Sequence, residues 1–238
     1  MPELPIHPAP GREAPGYGLE RRLARCQSVP DTRRRGIQSA LRESTAFETL
    51  RLTGLTGMSG GVAEKDPADP LFASVLKALS LVETTAAAGE ELGIGLIREV
   101  HRLSNPPSGG EIRSTEIARQ FQNARVLSPR FIESRLQNLL DWLHGESGRG
   151  MFPAERMALW FPRFLEIAPF ERGNFRTAHL LLSFFSCVDG YPPVSLRFEE
   201  AEAVRSEVER AFLFDTGPLV QRFSSALSRA LEELEKSS

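Results

Sequence analysis

The stretch of this sequence best placed to do chemistry is residues 168–179, APFERGNFRTAH. A Gly-Asn pair follows Pro169-Phe170 and precedes Arg176, between two apolar stretches of helical period. If one helix ends near Ala168 and another begins near Asn174, the first N–H groups of the second helix lack intrahelical partners. Together with the helix dipole they form a site for an anion. Gly173 would let the backbone approach a ligand closely, and Asn174 can cap the helix. Arg176 and His179, three residues apart, should share a helix face. An arginine in a first turn opposes the dipole, and an anionic ligand would remove that penalty. The competing reading of these residues alone is an ordinary Gly-Asn turn, with Arg176 paired to a carboxylate such as Glu171.

The elements around this turn read as mostly α. Asp31 or Thr32 can cap a helix over residues 32–50, which places Ile37, Ala40, Leu41 and Phe47 near one face. Glycines and prolines over 53–70 predict a loop. Helices are expected at about 70–88 and 90–104, the second ended by Asn105-Pro106-Pro107. Residues 108–128 are polar and mixed and suit an irregular loop or a short hairpin. From Pro129 to His144 the apolar residues recur at spacings of three and four, which predicts an amphipathic helix. Apolar helices at 153–167 and 175–189 flank the Gly-Asn turn, the second ended by Gly190 and Pro192-Pro193. Charged amphipathic helices at about 196–212 and 217–236 close the chain. The expected organisation is a Pro/Arg-rich extended arm over residues 1–31, with six prolines, and one domain over 32–238.

Composition narrows the function classes. The chain has 238 residues and a formal net charge of -2, so it offers no overall electrostatic argument for nucleic acid. The local run Arg33-Arg34-Arg35 has no interleaved aromatics and reads as a solvated helix start. The longest apolar run, Leu180–Val188, is about half of the ~20 residues a membrane span needs. Cys26 and Cys187 give neither metal-ligand spacing nor a disulfide framework, which predicts free thiols in a cytoplasmic protein.

The signature APFERGNFRTAH resembles that of the Fic (Fido) family, HxFx[DE]GNGRxxR. Its surroundings resemble the family too. AERMALWFPRFLEIAPF is similar to the helix leading into the Fic loop, and LLLSFFSCVDGYPPVSL to the helix and Gly-Tyr-Pro-Pro turn that follow. LIREVHRLSN and then GGEIRS resemble the upstream helix and the start of the substrate-binding flap. Ser128-Pro129 and FIESRLQNLLDWLH resemble the segment after it. ALRESTAFETLRLTG is similar to the family's inhibitory helix, [ST]xxxE[GN], with Ser44 and Glu48 matching and Thr49 at the final position. The resemblance implies a Fic-like helical bundle that can carry a small β-hairpin flap. It also implies transfer of a nucleotide monophosphate, usually AMP from ATP, to a protein hydroxyl.

The departures from that signature matter more than the matches. The family's histidine, its general base, is Ala168 here, and a methyl group accepts no proton; such a base contributes roughly 10²–10⁴-fold. The acid that would hold Mg²⁺ is Arg172, so the metal's usual position is lost. The second glycine is Phe175, whose bulk threatens access to phosphates, and the second arginine is His179. Gly173, Asn174 and Arg176, with the added charge of Arg172 and with His179, form the expected anion-binding remnant. The expectation is a protein inactive as an adenylyltransferase and serving as a regulatory or binding module, with nucleotide or anion binding retained without Mg²⁺. Its protein partner and oligomeric state are open. The alternative is a divergent transferase with another base among His7, His101, His144 and His179. Glu48, without its usual arginine, is expected to pair with His179, Arg172 or Arg176 and hold the loop closed. The flap around Arg113–Ile117 is a further candidate surface for strand addition.

Overall fold

The computed structural model describes residues 17–26, 31–55, 69–106 and 108–236. Its elements are helices α1 (Tyr17–Cys26), α2 (Asp31–Leu55), α3 (Pro70–Ala87), α4 (Ile94–Ser104), α5 (Ile132–His144), the single turn α6 (Glu146–Arg149), α7 (Pro153–Ile167), α8 (Asn174–Val188), α9 (Ala201–Phe212) and α10 (Gly217–Glu235). No strand occurs among the described residues. The fold is the mostly helical bundle that the periodicities predict.

α8 is the axis of the bundle. Every residue from Asn174 to Ser186 is buried, as expected for a helix whose neighbours cover it all round. α3 and α4 lie against it on one side, α7 and α2 on others. α7 supplies the heaviest packing. Trp160, Phe161 and Phe164 are all fully buried, and Phe161 meets both Phe175 of α8 (ring centroids 5.6 Å) and Phe223 of α10 (5.8 Å). α3 begins on a side-chain cap, with the Leu71 N–H donating to Asp69 Oδ1 at 2.8 Å and Pro70 at the first helical position. This 18-residue helix is apolar and long enough to cross a membrane, yet it packs against α2, α4 and α8.

Three expectations change. The arm is not extended over Tyr17–Cys26; these residues form α1, with Leu19 and Cys26 buried and Arg22 donating to Glu235 Oε2 (2.7 Å) and to Ser228 Oγ (2.7 Å) on α10. Residues 1–16 and most of the loop expected at 53–70 lie outside the described residues, while α2 continues to Leu55. The hairpin does not form. Its backbone donors go sideways: the Arg113 N–H to the Pro169 carbonyl (2.9 Å), and those of Gln122 and Asn123 to the Glu209 carboxylate of α9 (2.6 and 2.7 Å). Satisfied in this way, the segment needs no ladder of its own.

Candidate functional site

The loop between α7 and α8 holds its shape through its own polar groups. Ala168 ends α7 in the left-handed region at φ 44°, an uncommon conformation for a residue with a Cβ. Gly173 ends the loop at φ 74°. A Cβ placed on it would overlap Asn105 Oδ1 and lie 2.5 Å from Asn105 Cγ, so glycine is required here twice over. Asn174 is wholly buried and clamps the loop rather than capping the helix. Its Oδ1 accepts the Phe170 N–H at 2.9 Å and its Nδ2 donates to the Phe170 carbonyl at 2.7 Å. Gly173 gives α8 no side-chain cap.

Arg176 and His179 are both buried but face different neighbours. Arg176 donates to the Ser104 carbonyl (2.8 Å) and to Asn105 Oδ1 (3.3 Å) at the end of α4. Burial pulls its guanidinium down to about 10, still charged at neutral pH. It does not pair with Glu171, which instead accepts the Thr115 hydroxyl at 3.0 Å. His179, with no exposed surface, is enclosed between α2 and the run after α8. The Leu196 N–H donates to its Nε2 at 2.9 Å, which leaves the ring proton of the neutral form on Nδ1. Nδ1 then donates to Thr49 Oγ1 (2.7 Å), and the Thr49 hydroxyl donates to the Thr45 carbonyl (2.6 Å). Every polar atom in this chain is used, and burial holds His179 neutral down to about 3.

Glu48 is the clearest correction among the individual residues. It reaches neither His179, Arg172 nor Arg176 in any described contact. Its Oε2 accepts the Phe198 N–H at 2.7 Å, and its Oε1 lies 3.5 Å from Arg51. The residue that touches the α8 histidine is its neighbour, Thr49. Ser44 is exposed on the same helix and, with Glu48, lines a cleft of about 330 Å³ between α2 and α10.

Phe175 turns inward, 6% exposed, against Phe161, with its ring parallel to that of His179 at 6.4 Å. Its side chain therefore joins the core. Arg172 and Glu171 are exposed on the loop. Of the other histidines, His101 is buried on α4. It stacks on Phe170 at 3.6 Å, and its Nδ1 lies 3.0 Å from Thr177 Oγ1. Burial, then the charge of Arg176, lowers it to about 4. His144 lies beside Glu91, outside this site, and His7 lies outside the described residues.

Sequence reasoning missed one residue of this site and read another only as flap surface. Asn105 was legible only as a helix terminator, yet it packs under Gly173 and meets Arg176. Arg113, 3% exposed, ties the segment after α4 to the loop: it donates to the carbonyls of Ala168 (2.8 Å), Thr115 (2.8 Å) and Leu127 (2.6 Å). Beside Ala168, beneath this segment, one cavity holds about 20 Å³. Ligand pockets are ordinarily several hundred Å³. Arg113→Met should leave buried carbonyls unpaired and destabilise the fold by roughly 2–3 kcal/mol, with faster proteolysis confined to 108–128. Unfolding titrations and limited proteolysis check both parts.

The helical bundle, with this loop between two buried helices and a neighbouring segment tied to it, has the fold of solved Fic-domain structures. A model of the Fic/DOC family matches residues 91–186. Among curated relatives, protein adenylyltransferase fic-1 of Caenorhabditis briggsae is 33% identical over 135 residues, 55% of this chain and 26% of that protein. Protein adenylyltransferase Fic of Nematostella vectensis is 28% identical over 162 residues, 66% of this chain and 37% of that protein. The chain thus spans about a quarter to a third of the length of these relatives. Two solved structures share the fold. One is a Fic domain-containing signaling protein from Bacteroides thetaiotaomicron, with TM-score 0.76, 21% identity, and coverage of 94% of this chain and 98% of that one. The other is Fic-1 from C. elegans, with TM-score 0.76, 22% identity, and coverage of 93% and 71%.

Proposed function

We propose that this Fic-domain protein does not transfer nucleotides by the family's histidine-dependent route and acts as a binding or regulatory module. The observation that carries the reading is the state of the loop at Ala168. The side chain has no proton acceptor, the carbonyl is held by Arg113, and a cavity of only about 20 Å³ lies beside it. No acid stands at 172 to ligate Mg²⁺. Asn174, Arg176 and His179 already have partners within the fold, which supports a structural role for each. What remains for an anion is the uncapped start of α8 with Arg172 exposed beside it. We read nucleotide binding there as weak and independent of Mg²⁺. Cys26 and Cys187 are not joined in a disulfide, which fits a cytoplasmic setting.

The test combines two measurements. Incubation of the chain and a cell lysate with labelled ATP, GTP, CTP or UTP should give no protein labelling above that of the heat-denatured chain. Titration calorimetry with ATP should give the same weak binding with and without Mg²⁺. Labelling that depends on the native chain would favour a divergent transferase instead. Tight binding that requires Mg²⁺ would remove the claim that the metal position is lost.

A further inference from the structure

Arginines on the described surface are commonly paired with carboxylates: Arg42 with Glu83, Arg98 with Glu111, Arg102 with Glu99, Arg149 with Glu91, Arg222 with Glu207. Around one groove two of the three edging arginines are not, the third, Arg163, being paired with Glu166. Arg125, Arg130 and Arg135 are exposed, and none of the three has an ion pair among the described residues. The groove holds about 380 Å³. Leu127, Leu139 and Ile167 wall it, and Arg125, Arg135 and Arg163 edge it.

Among the exposed apolar side chains of the described surface, Val126 lines the groove and Phe214 stands over Arg163 at its edge. Val126 is 38% exposed, Phe131 44%, Leu213 65% and Phe214 83%. Phe131 lies four residues before Arg135, under the Arg130 guanidinium at 4.6 Å. Phe214 lies 4.9 Å from the Arg163 guanidinium, whose charge is shared with Glu166 at 2.7 Å. Folding does not account for Phe214. It stands just past α9 at φ 68°, where helices usually end on glycine, and it buries little of its ring. A large aromatic ring held in a disfavoured backbone conformation and displayed to solvent points to recognition.

We propose that this face docks an acidic segment of a partner protein through one apolar anchor residue. The anchor enters the groove between α5 and α7. Flanking carboxylates meet Arg125, Arg130 and Arg135, whose planar guanidinium groups suit bidentate bonds. Leu213 and Phe214 cover the anchor from the side, and the aromatic and arginine composition is that of interface anchors. A nucleic-acid backbone would meet the same arginines, but it would leave the apolar groove unfilled and bring phosphates toward Glu166. This inference specifies the partner of the binding-module reading and rests on it.

Selection of random 12-residue peptides on the folded chain tests it, followed by fluorescence anisotropy. Selected peptides should combine Asp or Glu with a Phe, Leu or Trp. Their Kd should weaken about tenfold in Arg125→Glu/Arg135→Glu and about fivefold in Phe214→Ser or Phe214→Gly, and should weaken as salt rises. The distant Lys77→Glu should leave it unchanged. Peptides without acidic residues, or binding indifferent to these variants, would overturn the proposal. So would preferential binding of a 12-nucleotide oligomer, or a dimer in light scattering that Phe214→Ser dissolves. Failure here with a negative transferase assay removes this face alone, whereas nucleotide transfer removes the binding-module reading itself.

Discussion

Gly173→Ala should destabilise this protein by roughly 3–5 kcal/mol, one of the largest effects available to a single methyl group. Two penalties act together. The left-handed backbone at φ 74° disfavours any residue with a Cβ by about 1–2 kcal/mol. The added methyl would also overlap the Asn105 side chain. Asn105 is poorly able to move, because its Nδ2 donates to Ser104 Oγ at 2.9 Å and its Oδ1 accepts from Arg176 at 3.3 Å. For a chain of this size the change lowers Tm by roughly 10 °C or more. The two penalties separate in a double-mutant cycle. In an Asn105→Ala background the overlap is gone, and Gly173→Ala should cost only the backbone part. Additive effects of the two substitutions would mean that Asn105 does not govern the loop.

Acid should unfold the protein well before its carboxylates are protonated, because two histidines are buried neutral. In the unfolded chain an imidazole takes up a proton near pH 6.5. In the fold His101 stays neutral to about 4 and His179 to about 3. Between those values the unfolded state binds more protons than the folded one, so stability falls as pH falls. The loss begins near pH 6.5 and continues until each folded value is reached. Each histidine contributes about 1.4 kcal/mol per pH unit, so the pair removes roughly 5 kcal/mol by pH 4.5. Urea unfolding between pH 7.5 and 5 measures the slope. His179→Gln should flatten it by about one proton, at some loss of stability at pH 7.5. An unchanged slope would show that His179 is accessible to protons in the fold.

Both predictions concern the same physical fact, that the α7–α8 loop is braced from within. The Gly-Asn turn was legible from residue types, and so was the helix that follows it. The uses of Asn174, Arg176 and His179 were not. Each can bind an anion or a neighbouring backbone group equally well, and only the third dimension supplies the neighbour. For Arg176 that neighbour is the carbonyl of Ser104, 72 residues away in sequence. For His179 it is Thr49 and Leu196, from opposite sides of the chain. Glu48 illustrates the reverse error. It matches a motif, but its carboxylate bonds to the Phe198 N–H, and the next residue makes the contact with α8.

Hydrophobic period alone determined most of the helices. α7 falls on the expected residues 153–167, and α3, α8 and α10 lie within a residue or two of expectation. Such helices bury an apolar face whatever their neighbours are, so their pattern is written locally. The sequence also determined what the loop lacks, since Ala168 and Arg172 cannot act as base and metal ligand in any fold. Only the tertiary structure decided where the freed space went. Phe175 turned into the core against Phe161, and the segment after α4 closed over Ala168 through Arg113. It also decided that residues 17–26 form a helix on α10, because the salt bridge from Arg22 to Glu235 joins residues 213 positions apart. Contacts of that range depend on how the helices pack, and no local pattern encodes them.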